Sequence, residues 1–318
     1  MALRDQIIPI DILQRLTQQN IKTIFEFIQE DSEKLSQICL ISFKDIVDLK
    51  QNLISKYSAD PQRGDQIYEK VYSVFKNIST GVKSFDNLLN GGLLIGNIYE
   101  ICGFSGDGKT QFCLTIAANI THYLKQKIYY IDTKSDFNSH RLLEILSSRG
   151  LTTEECTAAM NLVQVVKVKD LNQLITYLDY LKNILSAPNN GCRLVIIESM
   201  PALFFHFLGD NEGLSLLNHL ISQIKHIANE YQTVFIIVNL ATSSTESEDS
   251  AEMEPGKSES WEEIKPSLGK YWLQAIGTRF LIQRINSASE ERCIKVIKSS
   301  YLRVGESCKV TLSEYGYQ

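Results

Sequence analysis

Eight consecutive residues, Gly103-Phe104-Ser105-Gly106-Asp107-Gly108-Lys109-Thr110, match the spacing G-x-x-x-x-G-K-[ST] in full. That pattern suits the holding of phosphate. Successive backbone N–H groups must curl around phosphate oxygens, and Gly103 and Gly108 permit the backbone angles this needs. A helix opening at Gly108 adds the positive end of its dipole. Lys109 can reach the outer phosphates as a charge, the Thr110 hydroxyl can ligate Mg²⁺, and Gln111 continues the same first turn. The competing reading is a glycine-rich surface turn. A strand-like run before the loop and an amphipathic helical pattern after it favour the phosphate loop.

A phosphate-bound Mg²⁺ calls for an acid at the end of a buried strand. The run Leu194-Val195-Ile196-Ile197-Glu198-Ser199 supplies one. Its carboxylate can hold the metal directly or through water. Asp is usual there, because a shorter arm fits between metal-bound waters. Glu198 is longer by one methylene, which either shifts the ion or weakens its binding; a plain strand end is the alternative reading. Hydrolysis also needs a general base. Asp132, Lys134 and Asp136 follow another apolar run, and Asp132 is the catalytic candidate, against a structural strand-end role for the same residue. Lys134 cannot act as a carboxylate base.

These groups need a scaffold. Residues 98–102, 128–131, 163–168, 194–197 and 234–238 read as short strands, and 108–124, 140–147, 171–185 and 214–228 as helices. Short apolar strands alternating with helices imply an α/β domain with a mostly parallel sheet covered on both faces. Residues 279–285, 293–297 and 309–312 read as late strands joined by turns, an antiparallel extension. Residues 1–58 instead carry short helical patterns, with Ile12, Leu13 and Leu16 on one face and Phe43, Ile46, Leu49 and Leu53 on another. Each helix is too short to stand alone, so they must form a small bundle. The expected division is a helical docking domain over 1–58, a linker over 59–76 containing Pro61 and Gly64, and the nucleotide-binding domain over 77–318. Residues 241–265 break the pattern: they are rich in Ser, Thr and Glu and read as a solvated loop.

The bulk composition limits the partners. The formal net charge of the 318 residues is −5, so no global basic field points to nucleic acid. Seven cysteines are widely spread and none forms a closely spaced metal-ligand pair, which fits a reducing compartment. The first residues lead into no long apolar run, so no signal peptide is expected. No stretch reaches the roughly 18 apolar residues of a membrane span, so no membrane partner is expected.

Taken together, the motifs resemble the RecA-type recombinase superfamily, specifically the eukaryotic strand-exchange recombinase and its paralogues. Ile78-Ser79-Thr80-Gly81-Val82-Lys83-Ser84-Phe85-Asp86-Asn87-Leu88-Leu89-Asn90-Gly91-Gly92 is similar to the family's entry segment, with Phe85 in the place of Leu. Tyr130-Ile131-Asp132-Thr133, Phe235-Ile236-Ile237-Val238-Asn239, Lys265-Pro266-Ser267-Leu268-Gly269-Lys270-Tyr271-Trp272 and Lys298-Ser299-Ser300 also match. The N-terminal module and the layout are most similar to the D-type (delta) paralogues. The resemblance implies a RecA-like P-loop NTPase core, ATP with Mg²⁺ as cofactors, a nucleotide-sensing amide at Asn239, and a nuclear location. It also exposes departures. The active recombinase has Glu where this chain has Lys134, Asp where it has Glu198, and Gln where it has Leu240. ATP binding is therefore expected without rapid turnover.

The DNA-facing loops that the family implies are atypical here. The first, around 204–213, holds Phe204, Phe205, His206, Phe207 and Leu208 but no Lys or Arg. Its aromatic residues can stack on bases or bury against a protein. The second is the acidic 241–263 stretch, whose charge repels a DNA backbone. Lys265, Lys270, Arg279 and Arg284 offer modest basic help. The implied role is an ATP-binding accessory subunit in a heteromeric complex with other recombinase paralogues, assisting recombinase filaments on single-stranded DNA that it binds weakly or shares with partners. An autonomous DNA-dependent ATPase and a DNA-free scaffold remain as alternatives.

Overall fold

The computed structural model describes residues 8–58, 61, 63–66, 77–187, 191–204, 211–243, 264–286 and 289–318. The chain divides into two compact units, Met1–Val74 and Phe75–Gln318.

In the first unit, four helices, α1 (Ile10–Gln18), α2 (Ile24–Gln29), α3 (Ser32–Cys39) and α4 (Phe43–Tyr57), pack on one apolar cluster. Its buried members include Ile12, Leu16, Ile24, Phe27, Leu35, Ile46 and Leu53. α2 opens on a capping box, with Thr23 accepting from the Glu26 amide and Glu26 accepting from the Thr23 amide. Ser42 caps α4 by accepting from the Asp45 amide. The sequence reading did not single out α3. Asp31 caps it by accepting from the Glu33 and Lys34 amides.

The second unit is a three-layer α/β sandwich. After α5 (Lys83–Leu88) come β1 (Ile98–Gly103), α6 (Lys109–Tyr123), β2 (Lys127–Asp132), α7 (Ser139–Ser147), α8 (Thr153–Asn161), β3 (Val163–Lys167), α9 (Leu171–Leu185), β4 (Cys192–Glu198), α10 (Met200–Phe204), α11 (Asn211–Glu230) and β5 (Val234–Ser243). Then follow β6 (Ile264–Pro266), α12 (Gly269–Ala275), β7 (Thr278–Arg284), β8 (Glu291–Lys298), β9 (Ser307–Ser313) and β10 (Gly316–Tyr317). The sheet order is β10-β9-β8-β7-β1-β5-β4-β2-β3, with β6 paired to β5. Strands β7, β1, β5, β4, β2 and β3 run parallel, and β8 to β10 add the antiparallel extension. This is the RecA-like core with a mostly parallel sheet that the motifs implied.

Side chains alternate across the strands and feed two cores. Tyr99, Ile101, Ile128, Tyr130, Ile196 and Ile236 join α5, α6, α7 and α8 on one face. Tyr129, Ile131, Val195, Ile197, Phe235 and Ile237 join α9, α11 and α12 on the other.

Three expectations change. α6 is not amphipathic: every residue from Phe112 to Thr121 is buried, because α7, α8 and β10 cover the side turned away from the sheet. β5 does not stop at Val238. It runs to Ser243 and pairs there with β6, so residues 241–243 belong to the sheet, while 244–263 lie outside the described residues. Phe204 closes α10 and is buried, so it is core and not a base-stacking side chain; 205–210 also lie outside the described residues.

Candidate functional site

The phosphate-loop residues sit where β1 ends and α6 begins. Gly108 precedes the helix at φ 95°, and no side chain caps the helix, so its first-turn N–H groups are left for another acceptor, as an anion site requires. A Cβ on Gly108 would overlap the Tyr317 hydroxyl, and one on Gly103 would overlap the Ile282 carbonyl. A side chain at Gly103 would press on backbone, and one at Gly108 would sit at a strained φ and displace Tyr317. Gly106 is at φ 84° in open space. Ser105 lies on the exposed crest beside it. Phe104 packs against the small cluster of Cys102, Ala241 and Leu281.

Asp107 and Lys109 tie the loop to itself. Asp107 accepts from the Phe104 amide at 2.8 Å. Lys109 is only 8% exposed, and its Nζ donates to the carbonyls of Gly103 and Phe104 at 2.8 and 2.6 Å. Burial lowers its pKa and the nearby Asp107 opposes that shift.

Thr110 and Glu198 meet across the cleft between α6 and β4. Thr110 Oγ1 donates to Glu198 Oε1, and Tyr130 Oη donates to Glu198 Oε2. Glu198 is 3% exposed. Burial raises its pKa, and the two hydroxyl bonds and Lys134 work against that rise. A hydroxyl and a carboxylate in contact at the mouth of a phosphate loop are hard oxygen donors, the set that Mg²⁺ takes together with phosphate and water. The residues fit that ion.

The other candidates sit apart. Asp132 is buried, and its oxygens accept from the amides of Lys134 and Asp136 at 3.2 Å and of Phe137 at 3.1 Å. Those bonds fold the turn after β2, which is the structural reading weighed against the catalytic one. Asn239 lies on the opposite face of the sheet from α6. It donates to Glu100 Oε1 at 2.6 Å and to the Ser267 carbonyl at 3.1 Å. Glu100 also accepts from Trp272 Nε1 at 2.8 Å and pairs with Arg279. Arg279 is 3% exposed, so it belongs to this buried network and does not offer a charge to DNA. Gln111 accepts from Arg141 Nε at 2.9 Å, and Arg141 reaches on to the Ser313 carbonyl.

Several contributors escaped the sequence reading. Arg292, 1% exposed, donates from Nε to the Asp107 carbonyl at 3.2 Å. Tyr317 Oη lies 3.4 and 3.3 Å from the carbonyls of Asp107 and Gly108. Both come from the antiparallel extension, some 180 residues or more along the chain from the loop, and carry no local signal. Tyr130 had a usable signal: strand alternation puts it on the face of Asp132 and Ile196.

A family model described as Rad51 matches residues 72–318. A second, described as the RAD51D N-terminal domain, matches residues 2–56. The DNA repair protein RAD51 homolog 4 of Bos taurus is 31% identical over 315 residues, covering 96% of this chain and 92% of that protein. Its Mus musculus counterpart is 30% identical over 299 residues, covering 91% and 87%. The DNA repair protein RAD51 homolog 2 of Homo sapiens is 29% identical over 251 residues, covering 70% and 63%.

Proposed function

We infer the role of this chain from its family: it belongs to the Rad51 family of DNA repair and recombination proteins, a branch of the ATP-binding P-loop NTPases. Within that family we propose an accessory, ATP-binding subunit, similar in kind to the homolog 4 proteins. It acts in the nucleus, in a heteromeric complex with other paralogues, and assists recombinase filaments on single-stranded DNA. The helical unit over 1–58 docks one partner, 59–76 links it, and 77–318 holds nucleotide. DNA contact is weak or shared with those partners.

One observation carries the reading. The phosphate-holding groups are assembled, while Lys134 stands in the place of the family's catalytic Glu. Lys134 is exposed, and its charge acts on both Lys109 and Glu198. A cation there supports the bound phosphates and cannot take a proton from water. Asp132, held by three amides, serves position more than chemistry. Lys109, Thr110 and the loop amides of 103–111 grip the phosphates. Thr110 and Glu198 would hold Mg²⁺, whose chemistry there would be to draw charge off the phosphate oxygens. The resemblance gives Asn239 a nucleotide-sensing role; its bonds to Glu100 and the Ser267 carbonyl would fix the orientation of that amide.

The test is nucleotide binding and turnover by the purified full chain, with and without single-stranded DNA and paralogue partners. We expect tight ATP binding that Lys109→Ala abolishes, slow turnover, and partner binding that depends on nucleotide. Turnover by the lone chain at the rate of an active recombinase overturns the accessory role.

A further inference from the structure

We propose that Tyr130 is a positioning residue for the metal site: its buried hydroxyl anchors one oxygen of Glu198 so that the other meets Thr110. The proposal rests on the nucleotide reading above and deepens it. β2 and β4 are parallel neighbours with Tyr130 beside Ile196 and Asp132 beside Glu198. Tyr130, Ile196 and Glu198 therefore share the face that packs on α6. The phenol lies one diagonal step from the acid, within reach of its far oxygen.

The two oxygens of Glu198 have separate jobs. Oε1 takes the Thr110 hydroxyl at the end of the phosphate loop. Oε2 takes the Tyr130 hydroxyl, deeper in the sheet. Tyr130 cannot follow a moving carboxylate, because it is fully buried and its ring packs edge-on against Phe137 at 4.9 Å. Glu has one more rotatable bond than Asp, and a free carboxylate on that arm would sample several positions. The tyrosine bond removes that freedom and satisfies an oxygen of a carboxylate that is only 3% exposed. An Asp at 198 has too short an arm to touch both hydroxyls. The longer acid and the phenol thus act as a matched pair, and the departure at 198 leaves a usable metal site.

The experiment measures the affinity of a fluorescent ATP analogue for the full-length chain, in Mg²⁺ and in EDTA. The wild-type chain is expected to bind more tightly in Mg²⁺. Tyr130→Phe should keep the EDTA affinity and lose about tenfold of the Mg²⁺ gain, the scale of one hydrogen bond to a charged group. Glu198→Asp should lose a similar share, and adding Tyr130→Phe to it should cost nothing further. Thermal melts without nucleotide show whether each variant is folded. Equal loss in Mg²⁺ and EDTA means general loosening and overturns the proposal, as does a full Mg²⁺ gain in Tyr130→Phe. If Tyr130→Phe does not fold, the Glu198→Asp ratio decides alone, and an undiminished gain overturns the pairing. Lys109→Ala separates the two readings: it should lose nucleotide in both buffers. Binding that survives Lys109→Ala, or no binding by the wild-type chain, overturns the nucleotide reading and this proposal with it.

Discussion

Replacing Arg279 by Met should destabilise the second unit more than any exposed charge removal. Arg279 and Glu100 are 3% and 0% exposed and joined by an ion pair. Glu100 also receives Trp272 Nε1 at 2.8 Å and Asn239 Nδ2 at 2.6 Å, so two neutral donors stay when the cation leaves. Arg279 in addition donates to the Trp272 carbonyl at 3.2 Å. Deleting one partner of a buried pair costs about 3–5 kcal/mol, because the other charge is stranded. For a unit of this size each kcal/mol moves Tm by roughly 2–4 °C, so Arg279→Met should lower Tm by about 6–20 °C. Glu100→Gln in the same background removes the stranded charge and keeps an acceptor for Trp272 and Asn239. The double variant should therefore recover at least about 1.5 kcal/mol relative to Arg279→Met, within the usual range of coupling between contacting residues. Urea or thermal unfolding of the two singles and the double measures this. A double variant no more stable than Arg279→Met would refute the stranded-charge argument.

Three further outcomes are expected. Gly108→Ala places a side chain at φ 95°, costing about 1–2 kcal/mol from backbone conformation, and overlaps the Tyr317 hydroxyl. Nucleotide affinity should fall, and adding Tyr317→Ala should restore only the part due to overlap, as titration calorimetry can show. Glu198 has a pKa raised above 4.5 by burial, so the folded state holds that proton more tightly than the unfolded chain. Its stabilising contribution is full below pH 4.5 and fades as pH rises through the folded value; Glu198→Gln should flatten that slope in urea midpoints measured from pH 4 to pH 8. Lys134→Glu places a carboxylate at the turn after β2 and should raise ATP turnover at least about a hundredfold, the lower end of general-base contributions, in a phosphate-release assay.

The parallel core was legible because its strands are short apolar runs and its helices have regular spacing. The phosphate loop was legible because each of its residues answers one local demand: left-handed angles at Gly108, a charge at Lys109, a hydroxyl at Thr110. The place of Glu198 at the end of β4 was legible because it closes the apolar run 194–197. The same local reading failed where distant elements decide. The helical pattern of α6 looked amphipathic, since sequence does not reveal that β10 returns to cover its far side. Arg279 looked like a DNA-facing cation, since nothing near it announces Glu100 on a neighbouring strand.

β1 explains why these two kinds of residue diverge. Its side chains alternate, with Tyr99 and Ile101 toward α6 and Glu100 and Cys102 toward β6 and α12. The phosphate loop leaves the end of this one strand, so both faces bear on it. On one face, apolar packing seats α6 and brings Thr110 to Glu198. On the other, Glu100 gathers Asn239, Trp272 and Arg279, and Ser267 joins through Asn239 Oδ1 at 2.5 Å. Residues 267 and 272 are tied to β1 at Glu100, Trp272 directly and Ser267 through Asn239. The antiparallel extension then braces the loop from outside through Arg292 and Tyr317. The loop is thus fastened from three directions, so if it takes phosphate as proposed, little reorganisation is needed, and Lys134 where a base would stand fits the proposed retention of ATP over turnover.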